Sequence, residues 1–179
     1  VDLVLHEGAN LISFYALPDD VSVSSIFAGT DGVIGEGVGA VNLDGTWIGS
    51  LTEVSQDDGY WVKVSDATIL SLTDAEPVSY DADGEVSYDI HYGNNLISYP
   101  FENGQSVADA LGTAAGNVYA VAGEGVAALN TENGWVGSLS ALEGGNGYWL
   151  VSVSTDDFSF SFNGVEDGLT RTEQQVLRA

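Results

Sequence analysis

LHEGANLISF at residues 5–14 and IHYGNNLISY at residues 90–99 are two copies of one motif. The His, Gly, Asn, Leu, Ile and Ser positions match, and the two histidines, His6 and His91, stand 85 residues apart. Self-similarity of this kind indicates an internal repeat whose copies each form one structural unit. The chain is therefore predicted to be a tandem duplication.

Three further blocks recur in the same order. The pairs are GEGVGA at 35–40 with GEGVAA at 123–128, WIGSL at 47–51 with WVGSL at 135–139, and GYWV at 59–62 with GYWL at 147–150. These blocks are 88 residues apart, three more than the first pair. The difference predicts an insertion near residues 112–117, and insertions belong in loops.

The blocks divide the chain into a first repeat unit at residues 1–73 and a second at residues 87–163. Residues 74–86 contain the Pro, Gly and acidic residues typical of a connector. Residues 164–179 are predicted to be a linker or a C-terminal helical tail, because Thr170 and Glu173 form a capping box before helix-favouring residues.

Each unit is predicted to be a small antiparallel sheet with one short helix, so the fold class is mainly β, a β-rich α+β fold. Residues 59–64 (GYWVKV) are the strongest strand, with Tyr60, Val62 and Val64 on one face. Because units of this size bury little core alone, we expect the two to pack as a pseudo-symmetric pair.

A short helix and a tight turn are predicted in each unit. Residues 22–27 and 106–111 begin with a serine cap and space their apolar residues as a helix does. Asp44-Gly45 lies between apolar runs, which is a strong hairpin signal, and Asn133-Gly134 is predicted to be a turn of the same kind.

The composition excludes several classes of partner. The 179 residues include 27 acidic residues and 3 Lys plus Arg, for a formal net charge of −24. Nucleic acid is not an expected partner, because phosphates are bound by Lys and Arg. With no apolar run of about 18 residues, no membrane insertion is expected. The acidic surface suits a saline, marine or calcium-rich medium, and the absence of Cys excludes disulfides and thiolate sites.

The glycine-rich blocks satisfy a short form of the dinucleotide-binding fingerprint, G-x-G-x-x-A. That fingerprint requires a helix after the glycines, whereas a turn and a Trp follow here, so cofactor binding is not expected. The glycines are instead interpreted as permitting bulges or close backbone packing. Glu36 and Glu124 lie between them, and a structural hydrogen-bonding role is favoured over a pair of catalytic carboxylates.

The two histidines occupy one repeat position. His6 and His91 have carboxylates nearby but no local metal-ligand spacing. A structural role, with the imidazole bonded to a backbone carbonyl at a strand edge, is favoured over a metal site. Serine nucleophile chemistry lacks the G-x-S-x-G elbow. The chain is predicted not to be an enzyme.

Six repeat-equivalent aromatic residues are candidates for ligand binding, because exposed rings beside acidic groups stack on sugars. Large aromatic rings are also the main filling of small cores, and this alternative is favoured. Neighbours in a Tyr-Trp pair point to opposite faces of a strand, so a mixed outcome is open. The candidates are Trp47, Tyr60, Trp61, Trp135, Tyr148 and Trp149.

One acidic stretch is a candidate calcium site. Asp81, Asp83 and Glu85 supply hard oxygen ligands beside a glycine, and calcium takes about six to eight such oxygens. The alternative is a solvated turn. The lesser candidates, at loop tips, are Asp19-Asp20, Asp57-Asp58 and Asp156-Asp157.

The NLISF, GEGV, W-x-GSL and GYW blocks resemble a tandem repeat of secreted and surface proteins of marine bacteria and of marine phage structural proteins. The resemblance covers both repeat units and carries no catalytic residues. It implies a non-catalytic structural or interaction module of an extracellular appendage, secreted protein or virion surface. Its expected partners are neighbouring domains or subunits of the same assembly. The alternative is a calcium-assisted adhesin module that binds glycan or peptide.

Overall fold

The computed structural model describes residues 1–80 and 85–164 of the chain. It is mainly β, with 48% strand and 11% helix, which confirms the predicted fold class. The elements of the first repeat are β1 (Asp2–Leu5), β2 (Gly8–Ile12), β3 (Ala16–Leu17), α1 (Val23–Ile26), β4 (Gly32–Gly35), β5 (Val38–Leu43), β6 (Thr46–Gly49), β7 (Tyr60–Val64) and β8 (Thr68–Ser71).

The segment between the repeats takes part in the fold. Strand β9 (Glu76–Pro77) pairs with β3, and a 3-10 turn follows at Val78–Tyr80. Val78 is buried among residues of the second repeat. The second repeat then comprises β10 (Tyr88–Ile90), β11 (Gly93–Ile97), β12 (Gln105–Ser106), α2 (Val107–Leu111), a 3-10 helix (Gly112–Asn117), β13 (Val118–Gly123), β14 (Val126–Thr131), β15 (Gly134–Gly137), β16 (Ala141–Leu142), β17 (Tyr148–Ser152) and β18 (Phe158–Phe160).

Each repeat is centred on a five-stranded antiparallel sheet. The strand order is β2-β7-β4-β5-β6 in the first and β11-β17-β13-β14-β15 in the second. Equivalent strands hold equivalent places, so the two sheets have the same topology. A two-stranded ribbon accompanies each sheet, β1 with β8 and β10 with β18.

One face of each sheet forms a core. In β7, Tyr60, Val62 and Val64 are at most 3% exposed, which confirms the predicted alternation. The Tyr60 ring lies 6.2 Å from that of Phe14 and 6.0 Å from that of Phe27. Rings of this separation in tilted and edge-on arrangements add to the energy of burial.

The predicted hairpin turn is present in the first repeat and is altered in the second. Asp44 and Gly45 have positive φ, 52° and 94°, as a two-residue turn between twisted strands requires. In the second repeat the turn falls one residue earlier than predicted, at residues 132–133. Gly134 instead begins β15 and pairs with Thr131.

Both predicted helices form, and they are capped differently. In α2 the Ser106 side chain accepts a hydrogen bond from Asp109 N at 3.1 Å, whereas Ser22 makes no such bond at α1. The insertion at residues 112–117 was predicted to be a loop and is a 3-10 helix. Neither α-helix of the described residues has the length and apolar content needed to cross a bilayer.

Candidate functional site

The two repeats meet through matching edge strands. On the side away from β7, strand β2 borders the loop at residues 144–147 of the second repeat, and Ser13 N donates to Gly145 O at 3.0 Å. Strand β11 borders the loop at residues 56–59 of the first repeat, and Ser98 N donates to Asp57 O at 3.1 Å. Each repeat therefore gives the other the same kind of contact, and the predicted packing of a pseudo-symmetric pair is observed.

The glycines of the two GYW blocks are required by this contact. Gly59 N donates to Leu96 O at 3.3 Å, and Gly147 N donates to Leu11 O at 3.2 Å. A Cβ at Gly59 would lie 2.7 Å from the carbonyl oxygen of Ile97. At Gly147 the equivalent distance is 2.6 Å, to the backbone of the first repeat. The backbones of the two repeats approach too closely here for any side chain.

The serines of the two NLIS blocks are buried in the interface, each with 0% exposure. Ser13 Oγ donates to Asn146 O at 2.6 Å and accepts from Tyr99 N at 3.1 Å. Ser98 Oγ donates to Gln56 O at 2.7 Å. These bonds satisfy the buried amide of Tyr99 and two partly buried carbonyls.

The glutamates of the GEGV blocks reach across to the opposite repeat. Each lies in a two-residue hairpin turn, followed by a glycine of positive φ, 72° for Gly37 and 71° for Gly125. Glu36 Oε1 accepts from Leu96 N at 2.6 Å, and Glu124 Oε1 accepts from Leu11 N at 2.8 Å. One carboxylate oxygen thus takes the place of a neighbouring strand at each sheet edge.

The second oxygen of each glutamate faces a histidine. His6 Nε2 lies 2.5 Å from Glu124 Oε2, and His91 Nε2 lies 2.7 Å from Glu36 Oε2. The Nδ1 atoms of His6 and His91 each lie 2.8 Å from a backbone carbonyl oxygen, of Glu7 and of Tyr92 respectively. Carboxylate and carbonyl oxygens only accept, so both ring nitrogens are satisfied only in the doubly protonated imidazolium.

The histidine pKa values reflect these contacts. The pKa of His6 is raised chiefly by its bond to the Glu7 carbonyl and next by Glu124. The pKa of His91 is raised chiefly by Glu36 and next by the Tyr92 carbonyl. Both side chains remain about half exposed, at 57% and 49%, so water screens the ion pairs.

Buried asparagines hold the histidine backbones in place. Asn10 Oδ1 accepts from His6 N at 2.9 Å, and its Nδ2 donates to His6 O at 2.9 Å. Asn95 bonds in the same way to the backbone of His91, at 3.0 and 2.9 Å. The asparagine shared by the two motif copies therefore fixes the bend on which each histidine lies.

The hydrogen bonds that were predicted for the histidines and glutamates are present in both repeats. Each imidazole bonds a backbone carbonyl, and each carboxylate makes structural hydrogen bonds. The sequence did not show that each histidine pairs with the glutamate of the other repeat. The only available signal was that both residue types recur together at fixed positions in both copies.

The cavities beside the two ion pairs differ. The one beside His6 and Glu124 has a volume of about 440 Å³, and the one beside His91 and Glu36 about 160 Å³. Asp58 lines the smaller cavity, and burial there, with the nearby charges of Asp57 and Glu36, raises its pKa to about 6.

The six aromatic candidates divide into three pairs. Tyr60 and Tyr148 are 1% and 2% exposed, so neither presents a ring to a surface ligand. Trp47 and Trp135 are half-buried and pack against the two cores. The remaining pair, Trp61 and Trp149, is half-buried on the opposite face of each sheet.

The calcium candidate at residues 81–85 falls mostly outside the described residues, because Asp81 and Asp83 are not among them. Glu85 is described and exposed. Within residues 1–80 and 85–164, no three His, Cys, Asp or Glu side chains group as metal ligands.

The chain was compared with known proteins by sequence and by structure. No protein-family model, no curated protein and no solved structure matches it.

Proposed function

We propose that this chain is a non-catalytic structural or interaction module of an extracellular appendage, secreted protein or virion surface. Its partners are neighbouring domains or subunits of the same assembly. The observation that carries the proposal is the reciprocal interface, in which Glu36 and Glu124 each bond a backbone amide and a histidine of the other repeat. Two repeats joined in this way act as one body.

The histidines and glutamates that could act as general acids or bases are hydrogen-bonded in the interface between the two repeats. Both histidines are bonded at both ring nitrogens, and both interface glutamates at both oxygens. A general acid or base must instead reach a proton on a substrate. This engagement supports a structural role over an enzymatic one.

The charge of the chain supports an exposed setting. With a net charge of −24, the molecule repels itself strongly at low ionic strength and is more stable in salt or divalent cations. A cell surface, appendage or virion in a saline medium provides those conditions.

Cooperative unfolding tests whether the two repeats form one body. We expect urea to unfold the full chain in a single transition when amide signals from the two sheets are followed separately by NMR. Replacing both Glu36 and Glu124 with Ala is expected to split this single transition into two, one for each repeat. The matched control is Glu132→Ala, at an exposed hairpin turn. Two transitions in the unmodified chain contradict the proposal.

A second candidate function is a calcium-assisted adhesin module for glycan or peptide. The observation favouring it is the half-buried position of Trp61 and Trp149 outside the cores. The test is binding of the chain to a glycan array in seawater-like buffer, with and without chelator. We expect Trp61→Ala or Trp149→Ala to abolish binding and Trp47→Ala, in the core-packed pair, to preserve it in the folded fraction. Loss of binding with chelator implicates calcium.

A further inference from the structure

An apolar groove lies on the outer face of the first sheet, away from the core. Its volume is about 540 Å³, within the usual range of ligand sites. Ile34 and Val41, 61% and 53% exposed, form its walls together with the half-buried Trp61. Gly32 forms the floor, since it stands between Lys63 and Val41 in the sheet and has no side chain to fill the space.

The groove contains the only Lys or Arg of residues 1–80 and 85–164. Lys63 is exposed, and within those ranges it makes no salt bridge. The carboxylate of Asp31, also at the groove, accepts a hydrogen bond from the Ser65 hydroxyl. On so acidic a chain, this ammonium marks a place where a carboxylate is attracted. A ligand with many negative charges is repelled by the surroundings, so the groove suits one anionic group.

The second repeat lacks both features. Ala120 stands at the position of Gly32 and is 8% exposed, and Val151 stands at the position of Lys63. These two residues pair directly across β13 and β17. Trp149 is thus an internal reference, because it is an equivalent tryptophan on a face with neither the gap nor the charge.

We propose that this groove binds an acidic-aliphatic peptide segment of a neighbouring protein. An aliphatic side chain fills the space over Gly32 beside the Trp61 ring, and an adjacent carboxylate pairs with the Lys63 ammonium. The walls are formed by two aliphatic side chains and one aromatic ring and provide few hydrogen-bonding groups, which favours an apolar side chain over a sugar ring. The inference rests on the proposed interaction function and names the chemistry of one partner.

The test uses the full chain and two short peptides. Acetyl-Leu-Asp-Val-amide and its Asn analogue are titrated into isotope-labelled protein, and binding is followed by NMR. We expect shifts at the Trp61 indole, Ile34 and Lys63, and none at Trp149. The Asn peptide should bind about two- to fivefold more weakly, the effect of losing one exposed ion pair. Lys63→Met should remove the difference between the peptides.

A second variant tests the shape of the groove. Gly32→Ala gives the first repeat the residue of the second and should weaken both peptides equally. The new Cβ lies 3.3 Å from Ala40 O, which requires a small adjustment. If this variant fails to fold, Lys63→Met still tests the groove, because the Lys63 side chain is exposed.

Several outcomes overturn the inference. They are equal binding of the two peptides to the unmodified chain, equal shifts at Trp149 and Trp61, or self-association of the chain through the groove. None of them changes the number of unfolding transitions, which is the test of the joined repeats, so failure of the groove and failure of the proposed function are distinguishable.

Discussion

The loops at residues 56–59 and 144–147 make the same contact with different side chains. Both donate from a glycine and accept from a serine amide across the interface. Yet Asp57 and Asp58 of the first loop are replaced by Gly145 and Asn146 in the second. The comparison shows that the interface depends on backbone atoms and close approach, while the side chains between them are free to differ.

The strongest test of this comparison is to place a methyl group where the backbones touch. Gly59→Ala or Gly147→Ala forces a Cβ to within about 2.7 Å of a carbonyl oxygen, and backbone cannot yield as a side chain does. We expect each variant to lose about 2–3 kcal/mol of unfolding free energy, measured by urea denaturation.

Gly116→Ala is the matched control, since a Cβ there meets nothing within 4 Å. It should change the unfolding free energy by no more than about 0.5 kcal/mol. If Gly59→Ala and Gly147→Ala behave like this control, backbone approach does not define the interface.

The serines provide the next test. Ser13→Ala and Ser98→Ala each leave a partly buried carbonyl of the other repeat without its donor. We expect each to lose about 2 kcal/mol, and equal losses would show that the two halves carry equal weight. Ser24→Ala, on an exposed side of α1, is the control for urea denaturation. A large inequality between Ser13 and Ser98 would break the symmetry.

Asp58 tests a difference between the loops. Its pKa is raised from 3.8 to about 6, so its ionised form is disfavoured in the folded state. The resulting cost is absent at pH values below about 3.8, develops up to pH 6 and is complete above it. Asp58→Asn supplies the residue of the second repeat. It should add about 1 kcal/mol at pH 7, reduced by solvent screening, and nothing at pH 3.

Urea denaturation across this pH range measures the effect. Asp66→Asn, at an exposed turn, should be neutral throughout. A gain at pH 3 as large as the gain at pH 7 would mean that ionisation of Asp58 is not its cause.

The histidines give the smallest effect, because both are exposed. Their folded-state pKa values are raised above the ordinary 6.5. Their stabilisation is therefore complete below about pH 6.5 and is lost as pH rises through the raised values. NMR titration of the His6 and His91 ring protons measures both pKa values. Changing both Glu36 and Glu124 to Gln should lower both pKa values, and unchanged values would show that the carboxylates do not set them.

Local structure was predictable where neighbouring residues decide it. Alternation in GYWVKV predicted which side chains of β7 are buried, and Asp44-Gly45 predicted its turn, because only residues close in the chain are involved. The turn at Asn133-Gly134 was misplaced. There Glu132 and Asn133 form the turn, and the Thr131 hydroxyl bonds the following residues. The position of Gly134 in the sequence was therefore not enough to predict which two residues form the turn.

The sequence predicted structural roles for the interface residues but not which residues they contact. Matching positions of His6, His91, Glu36 and Glu124 indicated structural roles, but a carboxylate has no sequence pattern that names a distant partner. The Ser98 contact with Gln56 is likewise decided by the packing of whole sheets. Trp61 and Trp47 look alike in sequence, and strand register alone places one outside the core and the other against it.

The reciprocity of the interface has an evolutionary consequence. The bonds that Glu36, Gly59 and Ser98 make to the other repeat are matched by those of Glu124, Gly147 and Ser13, as between subunits of an isologous homodimer. A single-repeat ancestor would find in a second copy of itself the donors and acceptors of these matched bonds. Gene duplication and fusion would then make the encounter intramolecular and independent of concentration. Because the two copies in a fused chain need not have the same sequence, one could acquire Lys63 and an open groove while the other kept a closed one.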